Sequence, residues 1–249
     1  MPDTSKCFNL INGVTHDLKS PLHAMLGFTD LVKSDLEQLS VSGLPEKTLS
    51  HLKLVTEIGH DMLELINNML TAARIQSGQM AITPVMLTQD IISARLDELE
   101  QTFIAEAQSR NITFSVNYAR LPELAQWDVK SLRYFVMNNL ISNALKFVEK
   151  DGTVAVHLDT DDNDRVHITV ADNGPGIPLN ERQNIFQQFT QGKTSLRSAH
   201  GSGYGLFNAC QMIKTHHGQI NITEGIGGLG VCFTVSLPAM PFQNEPLQK

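Results

Sequence analysis

From about Cys7 to Leu39 the apolar positions fall on steps of three and four: Ile11, Leu18, Leu22, Met25, Val32, Leu36 and Leu39, with Thr15 and Thr29 filling the gaps. That spacing predicts one long amphipathic helix. "SVSGLPEK" breaks the pattern with Gly43 and Pro45, the mark of a turn between helices. Helical periodicity then resumes through about Ser77 and carries two adjacent stripes. One holds Leu52, Leu63, Ile66, Leu70 and Ala73; the other holds Val55, Ile58, Met62, Leu65 and Met69. So wide an apolar face exceeds what one partner helix covers. Pairing of two copies into a four-helix bundle is the economical solution. "QSGQM" ends the second helix, with Gly78 as its cap.

After Met80 the period changes. A helix is expected from Gln89 to Ser109, then a half-buried strand in which Ile112, Phe114, Val116 and Tyr118 alternate with polar residues. Another helix spans about Val129 to Val148, and the strands "TVAVHL" and "RVHITVA" follow it. A loop rich in Gly and polar residues leads to a helix with the stripe Leu206, Ala209, Cys210, Ile213. "QINIT" and "VCFTVSL" are the last strands, and the polar tail after Pro238 frays. The expected fold is an α-helical hairpin forming a dimeric four-helix bundle over residues 1–80. An α+β sandwich follows over residues 81–249, a mixed sheet covered by helices.

Composition narrows the function. The chain has 249 residues, 41% hydrophobic and 18% charged, which fits a folded protein with ample core. A net charge of −7 and the lack of any basic run argue against nucleic-acid binding. Cys7, Cys210 and Cys232 show neither paired nor metal-ligand spacing and fit a reducing compartment. No apolar run approaches the roughly 18 residues of a membrane span, and "MPDTSKCFNL" is no signal peptide. The expectation is a cytoplasmic chain without membrane contact of its own, or the cytoplasmic part of a longer membrane sensor.

Three stretches carry candidate chemistry. "ADNGPGIP" puts Asp172 at a strand end, followed by glycines on a loop. A carboxylate there can accept from an exocyclic amine while the backbone bends beneath a flat ligand; as a lone motif it also fits a structural turn. "HGSGYGL" opens a helix with Gly201, Gly203 and Gly205, whose backbone N–H groups can approach phosphate oxygens. A Rossmann reading fails for want of a βαβ unit, and a Walker A reading for want of the terminal Lys-Ser/Thr. "NNLISNALKF" sets Asn139, Asn143 and Lys146 on one helical face, four and three residues apart. Two amides and an ammonium suit a hydrated Mg²⁺ and a phosphate tail, and equally a solvated polar face.

In the order asparagine helix, "DNGPG", "NIFQQF" and "GSGYGL", these motifs resemble the N, G1, F and G2 boxes of the sensor histidine kinases, whose nucleotide fold (GHKL or Bergerat type) is shared with the Hsp90, gyrase and MutL ATPases. The resemblance runs from His16 to "VCFTVSLP". It implies ATP and Mg²⁺ as cofactors, with Asn143 on the metal and Asp172 on the adenine amine. Gly174 and Gly176 would shape the base pocket. Asn139, Lys146, Phe147, Gly201, Gly203, Gly205 and Leu206 would complete the nucleotide site. "QFTQGKTSLRSAH" resembles the lid over the phosphates, with Lys193 and Arg197 as charge partners. "HDLKSPL" matches the H box, so His16 is implied as phosphoacceptor and Asp17 as assisting acid. Ser20 stands where Thr or Asn is usual, at a position the family links to dephosphorylating its partner. Tyr204 replaces a more typical aliphatic residue. The partners implied are a second copy of the chain and a response-regulator receiver domain.

Helical geometry agrees with the role implied for His16. Its neighbours at three, four and seven residues are Asn12, Gly13, Lys19, Ser20 and His23, a polar strip off the apolar seam. Pro21 removes the helix hydrogen bond to residue 17 and bends the helix beyond the site. Of the other histidines, His51, His60, His157 and His167 read as surface or satisfied residues. His216 and His217, before Gly218, read as cations at a helix C-terminus. The related ATPases carry a glutamate four residues before the metal asparagine; here that residue is Asn139, and an amide cannot take a proton from water. Phosphoryl transfer is therefore expected over hydrolysis. A degenerate dimeric scaffold and a chaperone-like ATPase are the alternative classes.

Overall fold

The computed structural model describes residues 19, 22–23, 25–34, 36, 46–77, 79–187 and 204–242. The chain divides into two compact units, one comprising Met1–Met80 with Lys193–Tyr204, the other Ala81–Gly192 with Gly205–Lys249. No helix among the described residues is long and apolar enough to cross a membrane.

The first unit holds helix α1, whose described part includes residues 25–34, with 22–23 and 36 in the same conformation, and α2, Glu46–Gln76. Leu22 and Leu26, one turn apart, form a buried cluster with Leu63 and Ile66. Gly59 sets the approach: a Cβ there would lie 2.5 Å from Leu26 Cδ2, so that leucine seats against bare helix backbone. On α2, Leu63, Ile66 and Leu70 are buried, whereas Val55, Ile58, Met62 and Met69 stay exposed. The two stripes of the sequence thus have different fates. On α1 the expected seam is corrected: Leu26 is buried, while Met25, Val32 and Phe28, the last 69% exposed, face outward. A helix with two neighbours needs two stripes, and the 22/26 and 25/32 positions belong to different ones. Gly78 lies outside the described residues.

The second unit begins with β1, Val85–Thr88, and α3, Gln89–Ser109. β2, Thr113–Tyr118, and β3, Leu124–Trp127, follow. One continuous helical stretch comes next: α4, Val129–Ser131, a π segment, Leu132–Met137, and α5, Asn138–Phe147. β4, Thr153–Thr160, β5, Arg165–Asp172, α6, Gly205–Thr215, β6, Gln219–Glu224, and β7, Val231–Pro238, complete it. The main sheet has the order β2-β4-β5-β7-β6, with β2 parallel to β4 and the other pairs antiparallel. A small antiparallel pair, β1 with β3, stands apart. Those two strands were not expected from the sequence, since each is four residues long and too short for a visible period.

Alternation decides which face is covered. Val154, Val156 and Leu158 on β4, Val166, Ile168 and Val170 on β5, and Phe233, Val235 and Leu237 on β7 are all buried. Helices α3, α5 and α6 pack against the sheet. The register aligns Val156, Val170 and Phe233 in one row, and Leu158, Ile168 and Val235 in the next. Each fully buried side chain of this size contributes roughly 1.5–3 kcal/mol.

Three polar anchors fix the helical stretch at its ends. Asp128 caps it: Oδ1 accepts from Ser131 N at 3.0 Å, and Oδ2 from Ser131 Oγ at 2.8 Å and Thr83 N at 2.9 Å. His216 Nε2, at the end of α6, accepts from Asp128 N at 3.2 Å. At the far end, Arg110 donates to the carbonyls of Leu145, Lys146 and Val148, which satisfies the last turn of α5.

Candidate functional site

Period-two alternation along β5 calls for an apolar residue after Val166, Ile168 and Val170; Asp172 stands there instead. Its carboxylate is 6% exposed on the covered side of the sheet. Oδ1 accepts from the backbone N–H of Gly174 at 2.8 Å and of Val231 at 3.2 Å. Oδ2 accepts from none of the described residues. Burial pushes the Asp172 pKa above the usual carboxylate range, and the two N–H donors pull against it. The next residue has a different job: Asn173 Oδ1 accepts from Thr153 N at 2.8 Å and extends the β4–β5 ladder by its side chain.

Glycines let two loops close around this acid. A Cβ on Gly174 would lie 3.0 Å from Asp172 Oδ1 and 3.3 Å from the carbonyl oxygen of Phe147. This is where the "DNG" loop meets the end of α5. Gly176, at φ +76, would place a Cβ 3.0 Å from the Gly230 carbonyl. The contacts of Gly225, Gly230 and Val231 with Asp172 are not foreseen from the sequence, where nothing singles out "EGIGGLG".

Asn139, Asn143 and Lys146 are each half-buried on one face of the helix. Asn139 is turned into its own helix, donating from Nδ2 to Phe135 O at 2.8 Å, a carbonyl of the π segment. Its Oδ1 would be 2.3 Å from a Cβ on Gly205, so the start of α6 abuts this amide. Asn143 has no hydrogen-bond partner among the described residues, and an unclaimed amide suits a hydrated Mg²⁺ or a phosphate. Lys146 Nζ lies 5.8 Å from the centre of the Phe147 ring, within cation–π range. Leu206 is half-buried. Phe186 meets Phe233 edge-on at 6.4 Å, and Ile185 is buried, which anchors residues 185 and 186 to the sheet.

The structure therefore brings Asp172, Gly174, Gly176 and the Phe147 backbone into one cluster, and Asn139 with Gly205 into another. His16, Asp17, Ser20, Lys193, Arg197, Gly201 and Gly203 lie outside the described residues. One expectation is overturned: His216 is not a cation at a helix end. It is fully buried, and burial lowers its pKa, so it stays neutral. His51, His60 and His157 are exposed, and His167 pairs with Asp161 at 3.1 Å.

A mixed sheet carrying one acid on its covered face, ringed by glycine loops and an amide-bearing helix, defines a class of ATPase domain. Residues 128–241 match the family described as "Histidine kinase-, DNA gyrase B-, and HSP90-like ATPase". Residues 9–78 match the "His Kinase A (phospho-acceptor) domain". The chain belongs to the sensor histidine kinases. It is 32% identical over 229 residues to the circadian input-output histidine kinase CikA of Synechococcus elongatus, covering 90% of this chain and 29% of that protein. It is 30% identical over 228 residues to the sensor histidine kinase TmoS of Ectopseudomonas mendocina, covering 90% and 22%. The chain thus spans less than a third of these relatives' length. Among solved structures, full-length ShkA in complex with AMPPNP superposes with a TM-score of 0.74 at 25% identity, over 96% of this chain and 48% of that one. The mycobacterial sensor histidine kinase MprB gives a TM-score of 0.52 at 27% identity, over 64% and 99%.

Proposed function

We propose that this chain is the kinase core of a two-component sensor, transferring the γ-phosphoryl group of ATP to His16 and from there to an aspartate of a response-regulator receiver domain. Residues 1–80 form the dimerisation and phosphoacceptor part, and residues 81–249 bind the nucleotide. The single observation that carries the reading is Asp172, a buried carboxylate with one oxygen saturated by backbone N–H groups and the other left over for an amine. Similarity to ShkA, solved with AMPPNP, supports a nucleoside triphosphate as the ligand.

In this reading Asp172 Oδ2 accepts from the adenine amine, while Gly174 and Gly176 keep the floor of the base pocket free of side chains. Asn143 and Lys146 hold the phosphate end, with Lys193, Arg197, Gly201, Gly203 and Gly205 closing over it. Asn143 is the candidate ligand of Mg²⁺, whose contribution when bound is charge neutralisation on the phosphates. A ring nitrogen of neutral His16 attacks the γ-phosphorus, the bond to the ADP oxygen breaks, and Asp17 assists proton removal from the other ring nitrogen. Asn139 supplies no base for water, and its amide is already spent on Phe135 O, which favours transfer over hydrolysis. The site operates on the cytoplasmic side, where ATP is available.

Incubation with γ-labelled ATP tests this directly. Wild type should take up acid-labile label and pass it to a receiver domain, and His16→Ala should take up none. Equal labelling of the two proteins refutes the assignment. Steady phosphate release without labelled protein favours the ATPase class instead.

A further inference from the structure

The turn between β6 and β7 is held against Asp172 more tightly than a connection requires. A Cβ on Gly225 would lie 2.1 Å from the Asp172 carbonyl oxygen; one on Gly230 would lie 2.2 Å from that oxygen and 2.4 Å from Oδ1. Contacts so short exclude any side chain at either position. Between them, Gly227 and Gly228 adopt φ +66 and +78 with nothing within 4 Å of a built Cβ. The turn is thus pinned at both feet and open at its tip. Its second foot delivers the Val231 N–H to Asp172 Oδ1.

We infer that the Gly225–Gly230 turn is a positioning device that fixes the Asp172 carboxylate and thereby sets purine selectivity. With Oδ1 held by the N–H groups of Gly174 and Val231, rotation of the carboxylate would break two hydrogen bonds. Oδ2 then points one way only. A 6-amino purine offers that oxygen a donor, whereas a 6-oxo purine offers a second acceptor and is repelled. A carboxylate free to turn away would lose this discrimination, because selectivity of this kind rests on buried polar groups that cannot escape the wrong partner. The inference rests on Asp172 being the nucleobase acceptor. It adds that Gly225, Gly230 and the Val231 amide, none of which need touch the base, decide how well it discriminates.

The glycines supply their own controls. Gly225 has φ −86, so Gly225→Ala adds a collision without left-handed strain. Gly227→Ala and Gly228→Ala add the strain without a collision, and Gly230→Ala adds both. Equilibrium binding of ADP and GDP to the whole chain, which avoids phosphorylation, gives the selectivity ratio, and thermal unfolding gives stability. Wild type should favour ADP by at least about 100-fold. Gly225→Ala and Gly230→Ala should compress that ratio at least about tenfold, whereas Gly227→Ala and Gly228→Ala should lower only the unfolding temperature. Should neither clashing variant fold, a Gly-Gly insertion between Gly227 and Gly228 lengthens the turn at its open tip and should compress the ratio by itself. A ratio that is unchanged in the clashing or lengthened turns, or that falls equally in the tip variants, overturns the inference. Undiminished ADP affinity in Asp172→Ala refutes the nucleobase reading itself.

Discussion

His216 Nε2 accepts a hydrogen bond from the Asp128 amide at 3.2 Å, while its Nδ1 donates to Met212 O at 2.9 Å. One neutral imidazole, in the Nδ1–H tautomer this pattern requires, therefore ties the end of α6 to the capping residue of α4. Phe242 closes over it, ring centres 5.7 Å apart. Burial holds its pKa below the ordinary histidine value, the Met212 carbonyl and the Asp128 carboxylate oppose that shift, and His217 adds to it.

The sign of the pH effect follows. Above about pH 6.5 the residue is neutral in both folded and unfolded chains and imposes no penalty. As pH falls below that, the unfolded chain binds a proton the folded chain refuses, and stability drops towards a limiting slope of about 1.4 kcal/mol per pH unit. Urea unfolding of the second unit between pH 7.5 and 5.5 should show this loss, and His216→Gln should flatten it. An unchanged slope in the variant would assign the loss to other groups.

Arg110 is predicted to matter for stability although its charge pairs with no carboxylate among the described residues. It donates to three carbonyls at the end of α5. Arg110→Met keeps the stem and removes the donors, which should cost about 1–3 kcal/mol. The shift in the urea midpoint, at constant slope, measures it.

Gly205→Ala should injure the nucleotide site without touching any residue assigned to the base. Its Cβ would meet Asn139 Oδ1 at 2.3 Å, and the amide can yield only by giving up Phe135 O. ADP affinity should fall roughly tenfold, about 1.4 kcal/mol. Calorimetric titration checks it; an affinity equal to wild type would show that Asn139 has room to move.

The exposed stripe on α2 predicts the oligomeric state. Val55, Ile58, Met62 and Met69 lie in water while Leu63, Ile66 and Leu70 fill the hairpin. Ile58→Arg should leave the hairpin core untouched and convert a dimer to a monomer by light scattering. A monomeric wild type at micromolar concentration would defeat this prediction.

The long periodic elements were legible in sequence. The α3 bounds and the strands β4, β5 and β7 follow directly from the 3.6 and 2.0 periods, and Asp172 could be placed at a strand end. That it faces the core follows from counting back in twos through Val170 and Ile168. The π segment left no trace, because the near-continuous apolar run "LRYFVM" suits any helical pitch. His216 was misread because a histidine before a helix-ending glycine looks the same whether solvated or buried; Phe242 and Asp128, distant in sequence, decide it. Gly225 and Gly230 carry no signal in the sequence, since a glycine needed for a close approach cannot be told from one needed for a bend.

The parallel pairing of β2 with β4 requires a crossover between Tyr118 and Thr153, and that crossover contains β3, α4, the π segment and α5. Asn139 and Asn143 thus ride on the very connection that lets the two strands align. Closing that long segment carries an entropic cost that strand registration and placement of the asparagine helix share. A circular permutation opened in the loop between Tyr118 and Leu124 would relieve that closure, letting the asparagine helix dock before the edge strand arrives.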